Sequence, residues 1–140
     1  MRSGRGRSSG RSVLCVIDAG ALTEILLRSL RAPAVAAAVR DRDLVAPAVI
    51  DAEILSALRG LERSRSLLPS RAAVAIEDLR LAPVRRFPLE PLLRRAWSLR
   101  DRLNAYDALY VALAVDLDCP LVTTDHRIPS PRLPADVIIA

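Results

Sequence analysis

Apolar positions along the chain fall into short β-rich runs separated by longer stripes at helical spacing. VLCVID (13–18) is a compact apolar run ended by an acid, the mark of a buried strand. ALTEILLRSL (21–30) sets Leu22, Ile25, Leu26 and Leu30 at helical spacing, with Pro33 as a limit, and APAVAAAVRDR (32–42) predicts a second, alanine-rich helix. LVAP (44–47) is a minimal strand. The segment over 49–64 is strongly amphipathic, with Ile50, Ile54, Ala57, Leu58 and Leu61 on one face. SRAAVAIEDLRL (70–81) predicts a helix with Ser70 as N-cap, and PVRRF (83–87) a short strand. LEPLLRRAWSLRDRL (89–103) and AYDALYVALAVDL (105–117) read as two helices divided near Asn104. LVTT (121–124) and DVIIA (136–140) complete the strands. Strands alternating with helices predict an α/β domain with a mainly parallel sheet.

Composition changes this picture at one end only. A length of 140 residues, half of them hydrophobic, suits one globular domain with a real core. Residues 1–12 differ: MRSGRGRSSGRS holds four arginines and no acid, and reads as a basic, disordered Gly/Ser/Arg tail on a domain spanning 13–140. Outside the tail, 17 arginines face 16 acids, so the body is close to neutral. Asp18 and Glu24 interrupt the first apolar run, which excludes a signal-peptide core. No stretch reaches the roughly 20 apolar residues of a membrane span, so a cytoplasmic location is expected. Cys15 and Cys119 lie in apolar surroundings without a metal-binding spacing and read as reduced core thiols. All 21 basic residues are arginine, which removes every mechanism that needs a lysine.

Four acids carry the candidate chemistry. Asp18, Glu53, Asp107 and Asp125 each stand at the edge of, or inside, an apolar stretch, where an unpaired carboxylate is costly to desolvate. Asp18 and Asp125 follow strands, and ligands of open parallel sheets bind at the carboxyl ends of strands. Glu53 lies beside Ile54 in an apolar stripe, and Asp107 shares a helix face with Leu103, Tyr110, Val111 and Ala114. Taken singly, each acid could be a cap, a turn residue or the margin of a stripe. Four converging carboxylates point instead to a hard cation, Mg²⁺ or Mn²⁺. His126, the sole histidine, has no partner for a zinc site and reads as a surface residue. A Ser-His-Asp elbow and a P-loop are both missing, and lysine-dependent phosphotransfer is excluded. What remains is metal-assisted phosphodiester hydrolysis, in which one or two cations acidify a water and stabilise the leaving oxygen. Arginines around the acids, such as Arg59, Arg63, Arg85, Arg86 and Arg102, suit phosphate steering. Aromatics are too sparse for a base-stacking platform.

At these same residues the sequence resembles the PIN-domain family, specifically the VapC-type ribonuclease toxins of toxin–antitoxin pairs. VIDAGALTEILL resembles the family's opening strand, acid and helix, and PAVIDAEILSALRGL the segment bearing its glutamate. NAYDALYVALAV followed by PLVTTDHRI is the nearest stretch, and the likeness runs from about Val13 to the C-terminus. The resemblance implies a three-layer α/β/α fold with Asp18, Glu53, Asp107 and Asp125 as the acidic quartet. It implies a Mg²⁺- or Mn²⁺-dependent endoribonuclease acting on structured RNA such as tRNA or rRNA. A homodimer inhibited by a VapB-like antitoxin, whose C-terminal segment crosses the active-site groove, is implied as well. One position departs from the pattern: many members carry Ser or Thr two residues after the first Asp, where this chain has Gly20. The competing readings are a PIN fold that binds RNA or protein without cleaving, and a PIN-like nuclease acting on DNA flaps.

Overall fold

In the computed structural model, which describes residues 13–128 and 133–140, the first strand is also the middle of the sheet. Strand β1 (Val13–Ile17) is rich in β-branched residues, and Cys15, Val16 and Ile17 are fully buried, as a strand covered on both faces requires. Helices α1 (Ala19–Leu27) and α2 (Ala32–Ala38) lead to β2 (Arg42–Pro47), followed by α3 (Val49–Arg63), α4 (Pro69–Leu81) and β3 (Val84–Phe87). A 3₁₀ turn at Glu90–Leu92 opens α5 (Leu93–Ser98), and α6 (Ala105–Asp116), β4 (Leu121–Thr123) and β5 (Val137–Ile139) follow. All strand pairs are parallel, in the order β3-β2-β1-β4-β5. The chain therefore builds outward from β1 to β3, then returns to lay β4 on the other side of β1. That reversal between β1 and β4 is the switch point at which open sheets form crevices.

Helices α1 to α4 pack on one another and α5 packs on α6, giving the α/β/α layering expected of the sequence. Helix α6 lies against β1, β2 and β4, and its residues from Ala108 to Ala114 are all buried. A helix apolar on every side has to be covered on every side, which explains the unbroken DALYVALAV run. Helix α3 is one-sided: Ile50, Ile54 and Leu58 are buried, each contributing about 1.5–3 kcal/mol of burial. Leu61 is partly covered and Ala57, placed on this face by its spacing, is exposed. Cys15 and Cys119 are free thiols, and burial pushes Cys15 up to about 11.

Four sequence expectations need correction. The first helix ends at Leu27, because Arg28 turns left-handed (φ 51°) and its N–H closes onto Glu24 and Ile25, leaving Leu30 wholly exposed. The second stops at Ala38; Asp41 is left-handed (φ 59°), and Arg42 already pairs with Val13 in the sheet. Ser70 does not cap α4: Leu68 holds the cap position without a side-chain bond, and Pro69 fills the first turn, where a missing N–H costs nothing. Only 93–98 of the segment 89–103 is α-helical. Its end tightens through bonds from Leu99 to Ala96 and Arg100 to Trp97, then breaks so that Asn104 can take the extended backbone (ψ 167°) of an N-cap. The tail at 1–12 lies outside the described residues. No helix among the described residues is long and apolar enough to cross a membrane.

Candidate active site

Sheet register brings the first two parts of the site together. Val16 pairs with Leu121 and Ile17 with Val122, and the Asp18 N–H then donates to the Val122 carbonyl at 3.2 Å. Asp18 thus stands beside the end of β4 while serving as N-cap of α1. Its Oδ1 accepts from the Ala21 N–H at 2.8 Å, and its Oδ2 accepts from the Thr123 hydroxyl. The same Thr123 oxygen accepts from the Asp125 N–H at 2.9 Å, so one fully buried hydroxyl ties the two strand-end acids together. Asp18 is 8% exposed, and burial raises its pKa. Its two hydrogen bonds oppose the rise, while the charges of Asp107 and Asp125 add to it.

Helices supply the other two acids. Glu53 projects from α3 beside the buried Ile54, and its Oε1 is buried without a hydrogen-bond partner. Burial raises its pKa, the nearby Tyr110 hydroxyl opposes the rise, and Asp107 and Asp18 add to it. Asp107 sits in the first turn of α6: its N–H donates to Oδ1 of the N-cap Asn104 at 2.8 Å, and Asn104 Nδ2 donates to its Oδ2 at 3.1 Å. The cap of α6 is therefore Asn104 and not Asp107, and its side-chain amide fixes the Asp107 carboxylate without neutralising it. Burial raises the pKa of Asp107 as well, followed by repulsion from Asp125.

Asp125 differs. It lies in the turn after β4, where its Oδ1 accepts from the Arg127 N–H and Nε, both at 2.9 Å, and its Oδ2 from Nη2 at 2.9 Å. These bonds hold its carboxyl below the usual range. The structure thus gathers Asp18, Glu53 and Asp107 into one mutually repelling group, with Asp125 at its rim already partnered by an arginine. Among the described residues, no three acidic, histidine or cysteine side chains stand close enough to hold an ion as they are placed. The donor set nevertheless fits a hard divalent cation: every donor is oxygen, and the charges of Asp18, Glu53 and Asp107 act on one another.

A PIN-domain family model matches residues 15–132. The chain belongs to the PIN-domain family, in its VapC group. Ribonuclease VapC3 of Mycobacterium tuberculosis is 45% identical over 114 residues, covering 81% of this chain and 83% of that protein. Ribonuclease VapC12 of the same organism is 36% identical over 115 residues, covering 82% and 89%. Among solved structures, VapBC2 of Rickettsia felis, bound to a promoter DNA fragment, superposes with a TM-score of 0.66 at 12% identity over 91% of this chain and 98% of that one. This last likeness is one of fold.

In this PIN domain an open cavity of ≈ 440 Å³, lined by Ala52, Glu53, Ser56, Ala57 and the exposed Tyr106, leads to the glutamate. A larger apolar cavity of ≈ 590 Å³ between α5 and α6 is lined by none of the four acids. A Cβ at Gly20 would meet Thr124 Oγ1 at 3.4 Å and Asp18 Oδ1 at 3.7 Å, so the glycine leaves room for a side chain beside the first acid. His126 is exposed, as its sequence setting suggested. Several of the arginines considered for steering have other tasks. Arg86 binds Asp51 and donates to the Leu79 and Val84 carbonyls, Arg95 pairs with Asp116, and Arg85 lies over Phe87.

Sequence reasoning passed over three residues at the site. Thr123 had one available signal, a polar residue inside a buried strand run, but nothing in the sequence points to Asp18, 105 residues earlier, as its partner. Arg127 is one arginine among 21. Tyr110 was placed on the Asp107 face but had no assigned task.

Proposed function

We propose that this PIN-domain protein is a divalent-cation-dependent endoribonuclease, a VapC-type toxin that cleaves structured RNA such as tRNA or rRNA. The observation that carries the reading is the gathering of Asp18, Glu53 and Asp107 within one another's electrostatic reach beside the sheet's switch point, with burial acting on each. Asp18, Glu53 and Asp107 would hold Mg²⁺ or Mn²⁺, and Asp125 would complete the set from the rim. Bound there, the cation supplies Lewis-acid stabilisation of phosphoryl charge and a more acidic water.

The chain's own contribution is placement. Thr123 and the α1 N-terminus hold Asp18, the Asn104 cap holds Asp107, and α3 brings Glu53 to the lining of an open cavity. Arg127 places a guanidinium at the rim, where a substrate phosphate can meet it. The VapC names of the relatives support ribonuclease chemistry, and VapBC2 pairs a VapC with its VapB. On that basis we assign this chain a VapB-like antitoxin as inhibitor; a homodimer in the cytoplasm is what the family resemblance adds to the proposal.

The test is cleavage of total tRNA and rRNA by purified protein with Mg²⁺, Mn²⁺ or EDTA, alongside Asp107→Asn. Discrete fragments that require the cation and vanish in the variant are the expected result. RNA binding without cleavage under any cation would replace the nuclease with a non-catalytic RNA-binding PIN module, the reading that the glycine at position 20 favours.

A further inference from the structure

Helix α6 carries Asp107 in its first turn and Tyr110 one turn later, on the same face. Tyr110 is 2% exposed, yet its hydroxyl has no hydrogen-bond partner. Glu53 Oε1 is in the same condition, and among the described residues these are the two buried side-chain polar atoms left so. Buried polar atoms are rarely orphaned, and two that face each other suggest a shared purpose. The two groups lie within each other's electrostatic reach, and the charge of Asp18 also acts on the phenol.

We propose that Tyr110 is a positioning residue for the cation site. Its hydroxyl donates to Glu53 Oε1 and turns the glutamate's other oxygen toward Asp18 and Asp107. The inference rests on the cation-dependent reading above. It gives α6 two tasks, since the helix supplies one acid directly and orients another. A phenol also suits the position chemically: a cationic partner for Glu53 would neutralise the carboxylate and weaken its hold on a divalent ion, whereas a neutral donor orients the group and leaves its charge.

The test is the affinity of the full chain for Mn²⁺ alone, by isothermal titration, in wild type, Tyr110→Phe, Glu53→Gln and the double variant. Tyr110→Phe is expected to weaken Mn²⁺ binding by about tenfold to a hundredfold, the usual cost of losing an outer hydrogen bond to a ligand. The double variant is expected to bind no more weakly than Glu53→Gln alone. Unchanged affinity in Tyr110→Phe, or losses that simply multiply in the double variant, would make Tyr110 a packing residue and overturn the proposal. Absence of Mn²⁺ binding in the wild type would remove the cation-site reading itself, and the proposal with it. Circular dichroism checks that each variant is folded. Should Tyr110→Phe fail to fold, Glu53→Asp reads the same contact by withdrawing the carboxylate one methylene from the phenol. An affinity equal to wild type would then overturn the proposal.

Discussion

Two acids follow neighbouring strands at one edge of the site, and the protein treats them in opposite ways. Asp18 comes directly after β1, is buried, and accepts bonds from two neutral donors, an N–H and a hydroxyl. Asp125 comes two residues after β4, sits in a turn, and is clamped by the Arg127 guanidinium. Burial raises the pKa of Asp18, and Arg127 lowers that of Asp125. One residue of spacing accounts for much of this. An acid immediately after a strand is still within the sheet's cover, while Thr124 carries Asp125 out to where an arginine can reach it. The chain compensates one charge with an arginine and holds the other with neutral donors alone.

The sharpest way to break the comparison is to remove each charge in turn. Asn is as good an N-cap as Asp, so Asp18→Asn keeps the start of α1 while deleting a charge proposed to hold the cation. If the cation supplies several kcal/mol of transition-state stabilisation, its loss lowers kcat/KM on RNA by about a thousandfold or more. Asp125→Asn is expected to cost distinctly less, because that carboxylate is already shared with Arg127. Equal losses in the two variants would show that the arginine clamp opens completely in the working enzyme.

Much of this arrangement is legible in the sequence, for a physical reason. Acids inside apolar runs are conspicuous because the runs are the core, so Asp18, Glu53 and Asp107 could be picked out before any fold was known. The alternation of β-rich runs and helical stripes gave the layering for the same reason. What stayed hidden depends on contacts between distant residues or on local backbone geometry. Leu30 fits the spacing of the first helix, but a left-handed Arg28 ends the helix before reaching it. Ser70 has the chemistry of a cap, yet Pro69 had already fixed where the helix begins. The bond from Thr123 to Asp18 exists only because β4 returns to pair with β1.

That bond offers the next test. Thr123→Val keeps the shape of a fully buried side chain while leaving Asp18 Oδ2 and the Asp125 N–H without their partner. A destabilisation of about 1–3 kcal/mol is expected from unsatisfied buried groups, read by denaturant unfolding. Mn²⁺ affinity should fall about tenfold to a hundredfold, as both strand-end acids lose a shared anchor. A stability loss with unchanged affinity would confine Thr123 to folding.

A smaller effect tests the charge balance itself. The native pKa values of Asp18, Glu53 and Asp107 are raised, so the native state binds more protons than the unfolded chain over the affected range. Their contribution to stability is fully present below the unfolded carboxylate value, about 4. It is lost as pH rises through the raised native values. Asp125 runs the other way: its contribution is present above its unfolded value and is lost as pH falls through its lowered one. Without metal, Glu53→Gln should therefore raise the thermal midpoint by a few degrees at neutral pH and leave it unchanged in acid. Saturating Mg²⁺ should narrow the gap by stabilising the wild type more than the variant, because a ligand that binds the native state adds to its stability in proportion to its affinity. A lower midpoint for the variant in metal-free neutral buffer would mean that Glu53 already has a compensating partner.

The smallest expected change comes from Arg127→Ala. The arginine side chain is 91% exposed, and exposed ion pairs add little to folding, so the thermal midpoint should hardly move. Carboxyl NMR should nevertheless show the Asp125 titration moving upward toward the ordinary aspartate value, since Arg127 is what holds it down. The consequence for the site is opposite in sign to that of losing an acid. Arg127 places a positive charge near both Asp125 and Asp107, and a divalent cation entering among the carboxylates has to compete with it. Mn²⁺ binding in Arg127→Ala should tighten modestly and lose part of its salt dependence, while KM for RNA rises as a phosphate contact disappears. Weaker Mn²⁺ binding instead would mean that the arginine orients Asp125 for the cation. The two strand-end acids would then share one design, with Arg127 doing for Asp125 what Thr123 does for Asp18.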